Sequence, residues 1–202
     1  MTKVRNSAIA TLASLVLLAS MPQSAFATQS ADSNEESITE SSEYLEAIRD
    51  LTLDVEIGSG ESGFASTTLS DGTVLSLGVE PVVGPPTSTK VTTAARALSG
   101  WYKVSGNNGL AYMEYYVRLA PVSPGSIYTK IAQVNQNSLV INAWAGTSFS
   151  GGTIVVRRTN ETATQKAWVQ GRAVFTYGGG ALTLTGGVQA LVWDGVIRSS
   201  LW

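Results

Sequence analysis

Two stretches of the chain alternate between inward and outward positions with a period of two. In 112–119, Met113, Tyr115, Val117 and Leu119 share one parity, and Tyr112, Glu114, Tyr116 and Arg118 the other. In 167–177, Ala167, Val169, Gly171, Ala173, Phe175 and Tyr177 share one parity, and Trp168, Gln170, Arg172, Val174 and Thr176 the other. Side chains of a strand point to opposite faces in turn, so each stretch reads as a strand with one face on a core. Met113, Tyr115, Val117 and Leu119 are expected to face inward.

The same pattern recurs in shorter pieces. Strands are predicted at 91–98, 101–104, 111–119, 127–134, 138–145, 152–158, 166–177, 181–185, 188–193 and 196–201. Turn signals separate them: Gly106-Asn107-Asn108-Gly109, Pro121 to Gly125, Asn135 to Asn137, Gly151-Gly152, Thr159-Asn160, Gly178 to Gly180, Gly186-Gly187 and Asp194-Gly195. Short strands at this spacing predict an all-β fold, an antiparallel β-sandwich or small barrel, over residues 91–202. This expectation rests on periodicity and turn chemistry alone.

Residues 28–90 read differently. Thr28 to Ser42 is rich in Ser, Glu and Asn, has little to bury and is expected to be disordered. Glu43 to Leu53 fits a short helix with Leu45, Ile48 and Leu51 on one side, while Leu51 to Ile57 alternates and also fits a strand. Phe64 to Val79 predicts a hairpin turning at Ser70-Asp71-Gly72-Thr73, because Asp-Gly is a strong turn signal. Val82 to Thr89, with Pro85-Pro86, reads as an extended linker.

The first 27 residues have the pattern of a secretory signal peptide. Lys3 and Arg5 precede an apolar run from Ala8 to Ala19, Pro22 ends it, and Ala25-Phe26-Ala27 offers a small-x-small cleavage site. The run is shorter than the ~20 residues that span a bilayer. The expected product is secreted and extracellular, starts at Thr28 and carries no membrane span. An outer-membrane barrel fits poorly: Arg198 and Ser200 fall where a lipid-facing strand should be apolar.

Charge divides the exported chain. Residues 28–90 hold twelve acids and two bases, a formal charge of −10, and residues 91–202 hold three acids and nine bases, a formal charge of +6. All five tryptophans lie in the basic half. The acidic segment is expected either to lie against the basic domain as a mask or pro-segment, or to be a solubilising tail. A cationic surface outside a cell suits an anionic envelope polymer or glycan. Nucleic acid suits it poorly, since the bases are scattered and the chain is exported.

Composition then removes several chemistries. The chain has no Cys and no His, which excludes disulfides, thiol nucleophiles, imidazole bases and Cys- or His-ligated zinc. Such a chain suits a bacterium that does not build disulfides. No clustered run of oxygen ligands suggests calcium, the glycine pairs lack the Lys and helix of a phosphate loop, and no Ser-x-x-Lys occurs. No cofactor or metal is expected.

A glycosidase needs two carboxyls across one bond. The basic half offers Glu114 in mid-strand, with Glu161 and Asp194 both read as turn residues. Each tryptophan is either core packing or a stacking platform. Trp168 beside Arg172 is the best platform, and Tyr112 and Tyr116 with Glu114 and Arg118 form a second polar-aromatic strip; these six are the candidate ligand-binding residues. The expected function is a secreted, non-catalytic binding or interaction protein. Two alternatives stand beside it: a secreted cationic effector, antimicrobial or toxin-like, masked by its acidic pro-segment, and a carboxylate-based hydrolase.

Overall fold

The structure is a computed structural model that describes residues 34–83, 99–178 and 182–202. The signal segment, the start of the acidic tract, most of the Pro-rich linker and the expected strand 91–98 lie outside the described residues.

Two antiparallel sheets form a sandwich-like fold. One has the order β1-β11-β10-β9-β8, built from Thr52–Glu56, Val196–Leu201, Leu182–Trp193, Ala167–Tyr177 and Thr147–Arg158. The other has the order β2-β3-β4-β5-β6, built from Gly63–Thr68, Val74–Val82, Gly100–Asn108, Ala111–Pro121 and Thr129–Val134, with β7 (Val140–Ala143) also on β5. They are called sheet A and sheet B below.

The core lies between the sheets. On β5, Met113, Tyr115, Val117 and Leu119 are buried, as the alternation predicts. On β9, Ala167, Val169, Ala173 and Phe175 are buried. Tyr102, Tyr115 and Phe175 supply the core aromatics, and no tryptophan is among the buried core residues. Trp144 is 49% exposed, and Trp101, Trp168, Trp193 and Trp202 are half-buried. The packing reading of the tryptophans is thus replaced by a peripheral one.

Residues 52–82 belong to this fold. β1 pairs with β11 from Thr52↔Ser200 to Glu56↔Val196, and β3 pairs with β4 from Leu75↔Asn108 to Val82↔Trp101. Val55, Leu75, Leu77 and Val79 enter the shared core. The change of charge at Lys90 therefore does not coincide with the start of the β-fold, because charge sits on outward positions and says nothing about strand partners. The β2–β3 turn forms where expected: Gly72 has φ 85°, and the Asp71 carboxylate accepts from the Thr73 N–H at 2.7 Å.

The helix α1 runs Asn34–Asp50, so the expected helical stretch begins well before Glu43. Tyr44, Ala47, Ile48 and Leu51 pack on the core, whereas Leu45 is 62% exposed. The buried stripe is thus the i, i+3, i+4, i+7 set starting at Tyr44, which includes the expected Ile48 and Leu51 but has Tyr44 and Ala47 in place of Leu45. The Tyr44 hydroxyl donates to the Asn108 carbonyl at 2.7 Å, and Glu43 accepts from the Ser70 N–H at 3.0 Å. The helix is tied to the β4–β5 and β2–β3 turns.

Two glycine pairs read as turns lie inside strands. Gly151-Gly152 interrupts the β8–β9 register between Ser150 and Thr153, with Gly151 at φ 64°, and is a bulge. Gly186-Gly187 sits in unbroken β10, opposite Ala173 and Arg172. A Cβ on Gly186 would lie 2.8 Å from the Trp202 carbonyl oxygen, and one on Gly187 would run into the Gly171 carbonyl. Glycine here answers a close backbone approach rather than a change of direction. Gly187→Ala is expected to cost about 2–3 kcal/mol, read as a lower urea midpoint, since neighbouring backbone must shift to admit the methyl. An unchanged midpoint would contradict that packing.

Glu161, expected in a simple turn, is a buried clamp. It is 4% exposed, and its two oxygens accept from the Thr129 N–H at 2.9 Å and the Asp194 N–H at 2.7 Å. Thr129 opens β6 of sheet B, and Asp194 lies in the β10–β11 turn of sheet A. Ile131 N–H to Thr159 O and Glu161 N–H to Thr129 O, at 2.8 and 2.9 Å, join the sheets at the same corner. Gln136, in a short 3-10 turn, both donates to and accepts from the Ile154 backbone and so blunts the β8 edge.

Candidate functional site

The six candidate residues lie on two faces. Tyr112, Glu114, Tyr116 and Arg118 are on the outer face of sheet B, and Trp168 and Arg172 on the outer face of sheet A. They form two surfaces rather than one site.

On sheet B, Lys103, Glu80 and Glu114 have side-chain partners. Cross-strand pairing sets Lys103 between Glu80 and Tyr116, Ser105 opposite Glu114, and Trp101 opposite Arg118. Lys103 forms an ion pair with Glu80, which raises the lysine pKa. The Tyr112 hydroxyl donates to Glu114 Oε2 at 2.6 Å. Burial first, and this bond second, push the Tyr112 pKa up to about 12. Alkaline difference spectra of the wild type against Tyr112→Phe should therefore show a phenolate step centred near 12, rather than the ~10 of free tyrosine. A step near 10 would mean that this hydroxyl is solvated. Arg118 is left exposed on this face.

Sheet A carries a different surface. One row crosses all five strands: Asp54, Arg198, Leu191, Trp168 and Arg158 are successive cross-strand partners. Arg198 grips Asp54 with two hydrogen bonds of 2.7 and 2.6 Å. That bond holds the Asp54 carboxyl below its usual range, partial burial opposes it, and the Arg198 and Lys166 charges reinforce it.

The next row is a chain of amides. Arg157 Nε donates to Gln170 at 2.9 Å, Gln170 to Gln189 at 3.2 Å, and Gln189 to the Ser200 hydroxyl at 2.9 Å. Gln170, only 4% exposed, has both ends of its amide bonded. The Trp168 indole N–H donates to Gln189 Oε1 at 3.0 Å, which fixes the ring and leaves its surface, not its N–H, for a partner. Arg172 lies beside Gly187 and opposite Thr153.

Five bases therefore share this side with Trp168 and Trp193: Arg157, Arg158, Lys166, Arg172 and Arg198. Among the described residues only Arg198 of the five has a carboxylate within ion-pair distance. A hollow of about 190 Å³ opens at the β1–β11–β10 end. Among the described residues no three carboxylates gather as a metal site. Sequence reasoning found Trp168 and Arg172 through alternation. It did not connect them with Arg157, Arg158, Lys166 or Trp193, because that association depends on strand order. Only the Arg157-Arg158 doublet gave a local hint.

No protein-family model matches the chain, and no curated protein matches it. Among solved structures, a hypothetical protein from Listeria monocytogenes EGD-e aligns at 13% identity over 70% of this chain and 95% of that one, with a TM-score of 0.39.

Proposed function

We propose that this is a secreted, non-catalytic binding protein whose outer sheet A face takes an anionic polymer or glycan of the cell envelope. The observation that carries the reading is the cluster of Arg157, Arg158, Lys166 and Arg172, without acidic partners among the described residues, around a hydrogen-bonded Trp168. Unpaired cations attract a polyanion over distance, and a fixed aromatic ring gives it a dry surface to lie on. Of the three acids of the basic half, two have their carboxylates engaged, which leaves the third, Asp194, without a free second carboxylate in the basic half. Glu114 accepts from Tyr112, Glu161 accepts two backbone N–H groups, and Asp194 forms a tight turn. This supports binding over carboxylate hydrolysis.

The effector reading needs cleavage near 84–90 to release the basic half. It draws no support from the topology, since β1 to β3 lie on the discarded side of that cut and complete both sheets.

The full chain should co-sediment with covalently cross-linked alginate beads, an insoluble polyuronate, at about 0.01 M salt and be released at about 1 M, where the Debye length falls from about 30 to 3 Å. Arg157→Glu/Arg172→Glu should weaken retention by about tenfold or more. Retention that ignores salt, or none at low salt, would count against the reading.

A further inference from the structure

We propose that the hollow at the β1–β11–β10 end of this face is a subsite for one acidic sugar unit, with Trp193 against the ring, Lys166 on its anionic group and Asp194 accepting from its hydroxyls. The inference rests on the binding reading above and adds the unit recognised.

Size comes first. The hollow holds about 190 Å³, the share of roughly six waters at ~30 Å³ each, and falls below the ~300 Å³ at which drug-sized pockets begin. It suits a single ring rather than a stretch of chain. Its walls combine the half-buried Trp193 and Leu191 with Asp54, Lys166, Asp194 and Arg198. Within that set Asp54 and Arg198 neutralise each other through two short hydrogen bonds. Lys166 has no carboxylate within ion-pair distance among the described residues, so its ammonium is the cation left for a ligand.

Position follows from the turn. Asp194 has φ 51° and Gly195 φ 75°, a tight β10–β11 turn, and the Asp194 N–H is bound by Glu161. The backbone carrying the Asp194 carboxylate is thereby fixed. Trp193, immediately before it, is held by pairing with Val196. An aromatic wall, one free cation and one free carboxylate match a ring with an apolar face, an acidic substituent and hydroxyl donors. Trp168 lies in the adjoining row, opposite Leu191, so a chain leaving the hollow can continue onto the cationic surface.

The experiment titrates the full chain by tryptophan fluorescence with D-glucuronate, glucose 6-phosphate and glucose. At least one acidic sugar should bind about tenfold more tightly than glucose, and the two acids distinguish a carboxylate from a phosphate as the preferred charge. Lys166→Ala should bring that preference to within about twofold, and Trp193→Ala should weaken all three sugars. Lys166 lies outside the strands, just before β9, so its replacement tests the site even if Trp193→Ala fails to fold. An unchanged preference in Lys166→Ala, or no acidic sugar binding above glucose, overturns the subsite. Alginate retention lost in Arg157→Glu/Arg172→Glu but untouched in Lys166→Ala and Trp193→Ala would overturn the subsite alone. Absence of salt-sensitive retention in the wild type would remove the binding reading itself.

Discussion

A chain that begins at Val91 is expected not to fold. It lacks β1, β2 and β3, and with them Val55, Leu75, Leu77 and Val79, which are 6%, 0%, 1% and 0% exposed. Full burial of an aliphatic side chain is worth about 1.5–3 kcal/mol, so these four contribute on the order of 6–12 kcal/mol. That is comparable with the whole net stability of a domain, about 5–15 kcal/mol. The loss would also bare the edge of β4, leaving an unpaired strand beside an opened core. Urea unfolding of 91–202 should show no cooperative transition, while a chain from Thr28 should show one. A cooperative transition in the shorter chain would contradict the joint fold and restore the effector reading.

Glu161→Ala is the second large effect. The carboxylate is almost fully buried, and both oxygens hold backbone N–H groups that belong to different sheets. Alanine leaves the buried Thr129 N–H and the part-buried Asp194 N–H without their acceptor, the buried donor alone costing about 1–3 kcal/mol, and the sheets lose a charge-assisted link. A loss of about 3–5 kcal/mol is expected from urea unfolding. Glu161→Gln separates charge from geometry. Its single acceptor oxygen can serve one N–H, but its own NH₂ then faces the other donor. It should recover less than half of the loss. Wild-type stability in either variant would mean that water or a rearranged turn replaces the carboxylate.

What the sequence disclosed follows the range of the interactions involved. Alternation in 112–119 and 167–177 correctly separated the buried Tyr115 and Val169 from outward Glu114 and Arg172, because the two-residue period is local. The Asp71-Gly72 and Asp194-Gly195 turns were also legible, since a positive φ is a local demand. Gly151-Gly152 and Gly186-Gly187 were misread for the same reason in reverse. Glycine marks a turn, a bulge and a close backbone approach alike, and only the neighbouring strand tells them apart. The association of β1 and β3 with the basic half depends on pairing across the chain, which the charge division at Lys90 obscured. Glu161 reads in the sequence as a turn residue because its partners, Thr129 and Asp194, are distant in sequence. The two strips read from alternation, Trp168 with Arg172 and Tyr112, Glu114, Tyr116 and Arg118, lie on different sheets.

The most direct test of the proposed binding face compares two double variants that change formal charge equally. Arg157→Glu/Arg172→Glu alters the outer face of sheet A, and Arg118→Glu/Lys130→Glu, with Lys130 on β6 opposite Ala120, alters sheet B. With alginate at low salt, the first should lose about tenfold or more of the retention and the second less than about twofold. Equal losses would mean that net charge alone governs retention, and a loss confined to the second pair would move the binding surface to sheet B.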